Sequence, residues 1–178
     1  MRRVVTGEDE QGRSAVVHDG EPPHSVSLDS TGFGEHAVWH VDLPPRDVYA
    51  GGDPSGDVFQ FPPPAGSATF MRAVIPPKGT PVDEEALLPE ARAKFPGLLE
   101  VSDPARGPGM HRTETIDLLV VVSGEVDLVL ETETVRLRAG ECIVQRGTWH
   151  SWENPGVEPC VIVGLMVATA GSQREDEN

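Results

Sequence analysis

Residues 110–169 read MHRTETIDLLVVVSGEVDLVLETETVRLRAGECIVQRGTWHSWENPGVEPCVIVGLMVAT. Short runs of Val, Leu and Ile alternate here with Ser123-Gly124-Glu125, Glu131 to Thr134, Ala139-Gly140-Glu141 and Glu153 to Gly156. Apolar, β-branched runs punctuated by such clusters are strands joined by turns. Strands this short and closely spaced predict an all-β antiparallel sandwich or barrel. In TVRLR, period-two alternation places Val135 and Leu137 inward and Arg136 and Arg138 outward.

The chain upstream is richer in Gly, Pro, Asp and Ser. Strand-like patches occur at Arg3 to Thr6, Ser14 to His18, His36 to Leu43 and in SATFMRAVI, residues 67–75. The stretch from Pro44 to Pro64 is mostly loop, because proline lacks the ladder donor. Thr80-Pro81-Val82-Asp83 reads as a helix start. Pro89 then limits the run to one or two short helices. These features predict a single domain. Residues 1–100 form an extension of strands, loops and short helices, residues 101–170 the core, and residues 171–178 a flexible polar tail.

The chain has 178 residues, with 14 Lys+Arg against 29 Asp+Glu and a formal net charge of -15. A field of that sign disfavours nucleic acid and anionic membranes as partners and leaves a small-molecule ligand as the expectation. The start, MRRVVTGEDEQGRS, has no apolar run behind its arginines, so a cytoplasmic location is expected. Cys142 and Cys160 both lie in apolar strands and are expected as buried free thiols. The strand-like N-terminal patches have no evident partner within the chain, which predicts a homodimer.

His111 and Asp117 are six residues apart, so a regular strand puts both on one face with Thr113, Thr115, Leu119 and Val121. Thr148, His150 and Trp152 share a face of a later strand. Antiparallel packing brings such strands together, so His150 is expected to meet His111 and Asp117. Two imidazoles and one carboxylate suffice for a divalent transition metal such as Fe, Mn, Ni, Co or Zn. The same groups also suit acid–base chemistry without a metal, with a histidine as base oriented by Asp117. The bland alternative is ordinary hydrogen bonding, with Asp117 satisfied by Arg112, Thr113 or Thr115. Leu119, Val121, Val144, Trp152 and Ile162 are expected to line a pocket suited to an apolar ring. Arg72, mid-strand, is a candidate partner for a substrate carboxylate, and His40 a further pocket candidate.

These residues carry a resemblance to the cupin superfamily, whose fold is a double-stranded β-helix or jelly roll. The family's first motif runs His-x-His, three or four residues, Glu, six residues, Gly. Here it runs His111, Thr113, Asp117, Gly124. The second motif, Pro-Gly-Asp followed by His and Asn, is matched by Ala139-Gly140-Glu141, His150 and Asn154. The resemblance implies metal ligation and catalysis by His111, Asp117 and His150. Thr113 stands where the family has a second histidine, and a neutral hydroxyl is a poor ligand. The resemblance further implies an enzyme of oxygenase, isomerase, cyclase or lyase type, acting on a small organic acid or an aromatic or polyketide-like metabolite. Metal-free catalysis and simple ligand binding are the alternatives it leaves.

Overall fold

The structure is a computed structural model and describes residues 1–45 and 60–169. The expected polar tail and much of the expected Pro44–Pro64 loop lie outside the described residues. Five strands come before the helix: β1 (Arg3–Glu8), β2 (Ser14–Gly20), β3 (His24–Leu28), β4 (Phe33–Asp42) and β5 (Ser67–Ile75). Helix α1 (Glu84–Lys94) and a 3-10 turn at Pro104–Arg106 follow. Six more strands complete the described chain: β6 (Thr115–Ser123), β7 (Glu125–Leu130), β8 (Thr134–Arg138), β9 (Cys142–Arg146), β10 (His150–Glu153) and β11 (Cys160–Ala168). The all-β expectation holds, with one short helix.

The strands form a six-stranded sheet of order β3-β4-β5-β11-β6-β9, a three-stranded sheet β10-β7-β8, and a separate β1-β2 hairpin. Every pairing among these strands is antiparallel. One core joins the two larger sheets. Leu119, Val121, Ile143 and Ile162 come from the six-stranded sheet, and Val126 and Leu128 from the three-stranded one. Gly124 forms the turn that carries the chain from the first sheet to the second. Its φ is +76°, and a Cβ there would sit 3.1 Å from the Cys160 Cα, so glycine is needed on both counts.

Helix α1 departs from expectation at its start. Asp83, not Thr80, caps it, its carboxylate accepting from the Ala86 N–H at 3.1 Å. Pro89 lies inside the helix without dividing it. Its ring is exposed, so the carbonyl deprived of an N–H partner faces water, while buried Ala91 and Phe95 anchor the following turn in the core. Phe95 meets Phe33 and Phe61 at ring-centroid distances of 5.9 and 5.0 Å. Gly97 lets that cluster close: a Cβ there would fall 1.7 Å from the Phe61 carbonyl oxygen.

Alternation is kept in the central strands and fails at the edge. Leu137 of β8 is half-buried, but Val135 is exposed rather than inward. This strand sits at the margin of the smaller sheet, where little lies opposite it. Both cysteines are free, yet only Cys160 is buried; Cys142 is exposed on edge strand β9. Among the described residues, no helix is long and apolar enough to cross a membrane.

Candidate functional site

His111 and His150 are brought together by the backbone. Each donates its N–H to the other's carbonyl, at 2.9 and 3.0 Å, in an isolated antiparallel bridge. His111 thereby extends the smaller sheet beyond β10. The chain then crosses to the larger sheet, where β6 begins at Thr115. His111 and Asp117 therefore do not share one regular strand, and the six-residue offset alone does not fix their relation.

The two rings lie 4.2 Å apart between centroids. Nδ1 of His111 lies 2.9 Å from the Gly109 carbonyl, and Nδ1 of His150 lies 2.9 Å from the Thr148 carbonyl. A carbonyl only accepts, so both Nδ1 atoms carry the proton and both Nε2 atoms present a lone pair. Burial holds the His111 pKa below the ordinary imidazole value, the Gly109 carbonyl opposing it. Burial, and then the neighbouring His111, push His150 down to about 4. Both rings are neutral at pH 7. A neutral imidazole whose Nδ1–H is tied to a main-chain carbonyl is the form that binds a metal through Nε2.

Asp117 occupies the inner face of the larger sheet. Cross-strand register sets it in one row with His40, Thr69, Met166 and Gln145. It is 5 % exposed, and its Oδ1 has no hydrogen-bond partner. Burial pushes its pKa up to about 6, with the Thr115 hydroxyl pulling the other way. An orphaned carboxylate oxygen in a dry interior calls for a proton or a cation. Thr113 and Thr115 are both buried and bond one another, Oγ1 to Oγ1 at 2.6 Å. Among the described residues, no three His, Cys, Asp or Glu side chains are already grouped so as to hold a metal ion. The imidazoles are paired, and Asp117 stands apart from them on the other sheet.

The residues expected to line a pocket fall in different places. Leu119, Val121 and Ile162 are buried in the core, and Trp152 packs half-buried with its ring 5.5 Å from His150. Val144 is a correction: it is 62 % exposed, because Ile143 and Gln145 take the inward positions of β9. Arg72 is another. It pairs with His36 and Val163 on the outer face, while Met71 and Ala73 point inward, so it offers nothing to an interior carboxylate. His40 does reach the inner row, its Nδ1 3.3 Å from the Thr69 hydroxyl. Thr115 borders a cleft of about 190 Å³ with Pro62, Pro63 and Ala168, at the polar end of β6.

Two interior polar residues, Glu35 and Gln145, were not legible in the motif spacing. Glu35 on β4 is 4 % exposed, and burial, then the Asp117 charge, raise its pKa to about 8. Its signal was the Glu35–Ala37 alternation, hidden by the turn-like Gly32 and Gly34 around it. Gln145 is buried beside Asp117 and donates to the Thr148 carbonyl and hydroxyl at 3.2 and 2.5 Å, steadying the loop that leads to His150. Asn154, the last residue of the second motif, is a brace. Its amide donates to the Ile75 and Glu158 carbonyls at 2.9 and 2.8 Å, and its oxygen accepts from the Gly156 N–H.

Residues 98–167, which hold β6 to β10, nearly all of β11 and the paired histidines, match the family model described as a cupin domain. That segment is a cupin domain. Two relatives from fungal biosynthesis clusters resemble this cupin over part of it. Phomopsin biosynthesis cluster protein C' of Diaporthe leptostromiformis is 56% identical over 46 residues, 25% of this chain and 24% of the relative. Oryzines biosynthesis cluster protein J of Aspergillus oryzae is 47% identical over 53 residues, 29% of this chain and 30% of the relative. The match thus spans 24% of one relative's own length and 30% of the other's. Among solved structures, the Schizosaccharomyces pombe Cnp3 cupin domain aligns with a TM-score of 0.45 at 10% identity, over 94% of this chain and 87% of that one.

Proposed function

We propose that this cupin is a small metal-dependent enzyme of small-molecule metabolism. It acts on a small organic acid or an aromatic or polyketide-like metabolite. The observation that carries the reading is the pair of neutral imidazoles 4.2 Å apart, both with Nδ1 tied to a carbonyl and Nε2 free. Nε2 of His111 and of His150 would hold a divalent transition ion (Fe, Mn, Ni, Co or Zn), with Asp117 as the anionic ligand. The unpartnered Oδ1 of Asp117 fits that role. The carboxylate is not already grouped with the rings, so it would have to approach them to join an ion held there. When bound, such an ion polarises a substrate oxygen or activates water or dioxygen.

The chain's own residues supply the rest. Leu119, Val121, Ile162 and Trp152 offer an apolar wall to a ring and exclude water. Thr113 and Thr115 add hydroxyls at the polar end. The biosynthesis-cluster relatives support a small metabolite as substrate. The reaction is of oxygenase, isomerase, cyclase or lyase type.

A second reading has an observation of its own. Asp117, raised to about 6, and Glu35, raised to about 8, are buried carboxyls whose protons move near neutral pH. With Thr113 in the place of a ligand histidine, they suit acid–base catalysis without a metal. The two readings separate in one experiment: turnover of a panel of aromatic acids and polyketide-like phenols, with and without chelator, by wild type, His150→Ala and Glu35→Gln. Metal dependence predicts loss of turnover in chelator, restoration by one divalent ion, and no restoration of His150→Ala. Turnover untouched by chelator yet lost in Glu35→Gln would establish the second reading instead. A ligand retained through purification and never converted would make this cupin a binding module.

A further inference from the structure

The His111–His150 contact is a single antiparallel bridge, so two backbone hydrogen bonds hold the imidazole pair together. On its far side His111 bridges Ser102, and His150 pairs with Leu130 of β7. Four chain segments thus lie side by side here. Side chains one position along from the histidines point to the opposite, outer face, and these are Arg112 and Trp149. The Arg112 N–H donates to the Val101 carbonyl at 2.9 Å, and its guanidinium carbon lies 5.1 Å from the centroid of the Trp149 ring. Arg106 lies over the same ring at 4.6 Å. The Arg106 guanidinium also donates to Asp103 through Nε at 3.1 Å and to Glu131 through Nη1. Asp103 belongs to the segment beside His111, and Glu131 follows Leu130 beside His150. One side chain therefore ties the two flanking segments together across the back of the histidine bridge, with the indole against it.

Building on the proposed metal reading, we propose that Arg106, Trp149 and Arg112 are positioning residues. They form a clamp on the outer face that holds His111 and His150 in register for an ion the two rings share. The clamp acts through the main chain. Trp149 lies between His150 and Thr148, whose carbonyl accepts the His150 Nδ1 proton. Fixing the indole fixes that carbonyl, and with it the tautomer that leaves Nε2 free. The segments leading to the histidines supply little restraint of their own, because Gly109 and Gly147 precede them at φ +68° and +56°. An isolated surface ion pair holds a chain weakly. Here one rigid guanidinium fork meets two carboxylates and an aromatic face at once, which fixes their relative placement.

Ring-nitrogen NMR and Co(II) titration of the chelator-treated whole chain test this. In wild type both histidines are expected as the single Nδ1–H tautomer. Arg106→Gln changes a side chain that is 41 % exposed, so the far-ultraviolet circular dichroism should stay as in wild type. The variant should show a second tautomer at His150 and bind Co(II) about tenfold more weakly. Trp149→Ala should do the same, and Trp149→Phe, which keeps an aromatic face for the guanidiniums, should recover most of the affinity. A folded Arg106→Gln chain that keeps the wild-type tautomer or the wild-type cobalt affinity overturns the proposal. So does a Trp149→Phe chain no better than Trp149→Ala. The tautomer readout needs no metal. A wild type that takes up no cobalt therefore sinks the metal reading, and the His150 tautomer in Arg106→Gln still decides the clamp.

Discussion

Replacing Glu35 by Gln is expected to stabilise the chelator-treated protein strongly at about pH 9 and not at all at about pH 4. Glu35 is buried, and its pKa rises from 4.5 to about 8 on folding. Between those values the folded chain holds a proton that the unfolded chain has released. Unfolding therefore releases a proton there, and stability falls as pH rises through the window. Above it, the charged form costs at most on the order of 5 kcal/mol, from about 1.4 kcal/mol per pKa unit. Gln keeps the shape and removes the titration, so Glu35→Gln should gain most of that difference at alkaline pH. His150 slopes the other way. Its pKa is lowered to about 4, so its contribution is present above 6.5 and is lost as pH falls towards 4. Urea unfolding of wild type and Glu35→Gln at both pH values decides the matter. Equal stabilities at alkaline pH would show that Glu35 is not a buried acid.

Phe95→Ala is the second large effect, about 3–5 kcal/mol of lost stability. Phe95 is 1 % exposed, closes helix α1 with its N–H on the Ala91 carbonyl, and packs on Phe33 and Phe61. Removing the ring opens a cavity that the strands on either side are too rigid to fill. Phe61 lies 6.4 Å from the His111 ring, so the loss also loosens the wall behind the imidazole pair. Phe95→Leu, which fills most of the volume, should retain the greater part of the stability. A Phe95→Ala cost below about 1 kcal/mol would contradict a packed aromatic cluster at this position.

The strands after Met110 were legible because each obeys alternation and ends at a turn. Asp117, Leu119 and Val121 fall inward as the period requires. Where the period breaks, local reading fails. The chain changes sheets between His111 and Thr115, so shared parity did not place the histidine with the carboxylate. On β9, a run of three apolar residues gives no alternation from which to choose between Ile143 and Val144. The inward facing of β9 is set by its pairing with β6, a contact between distant residues. Arg72 has the same cause: SATFMRAVI is apolar on both sides, and only the neighbouring β4 and β11 decide its faces. Glu35 was hidden because a carboxyl beside two glycines reads as loop, while the fold buries it.

On the proposed function, His111 and His150, with Asp117, take a divalent ion inside the domain. Titrating Co(II) into chelator-treated protein, followed by its visible absorption, tests this ligand set without needing a substrate. Wild type is expected to saturate at one equivalent, and His111→Ala and His150→Ala to give no spectrum. Asp117→Asn should bind at least about tenfold more weakly. A wild-type protein that develops no cobalt spectrum, or a His150→Ala protein whose spectrum matches wild type, would contradict it.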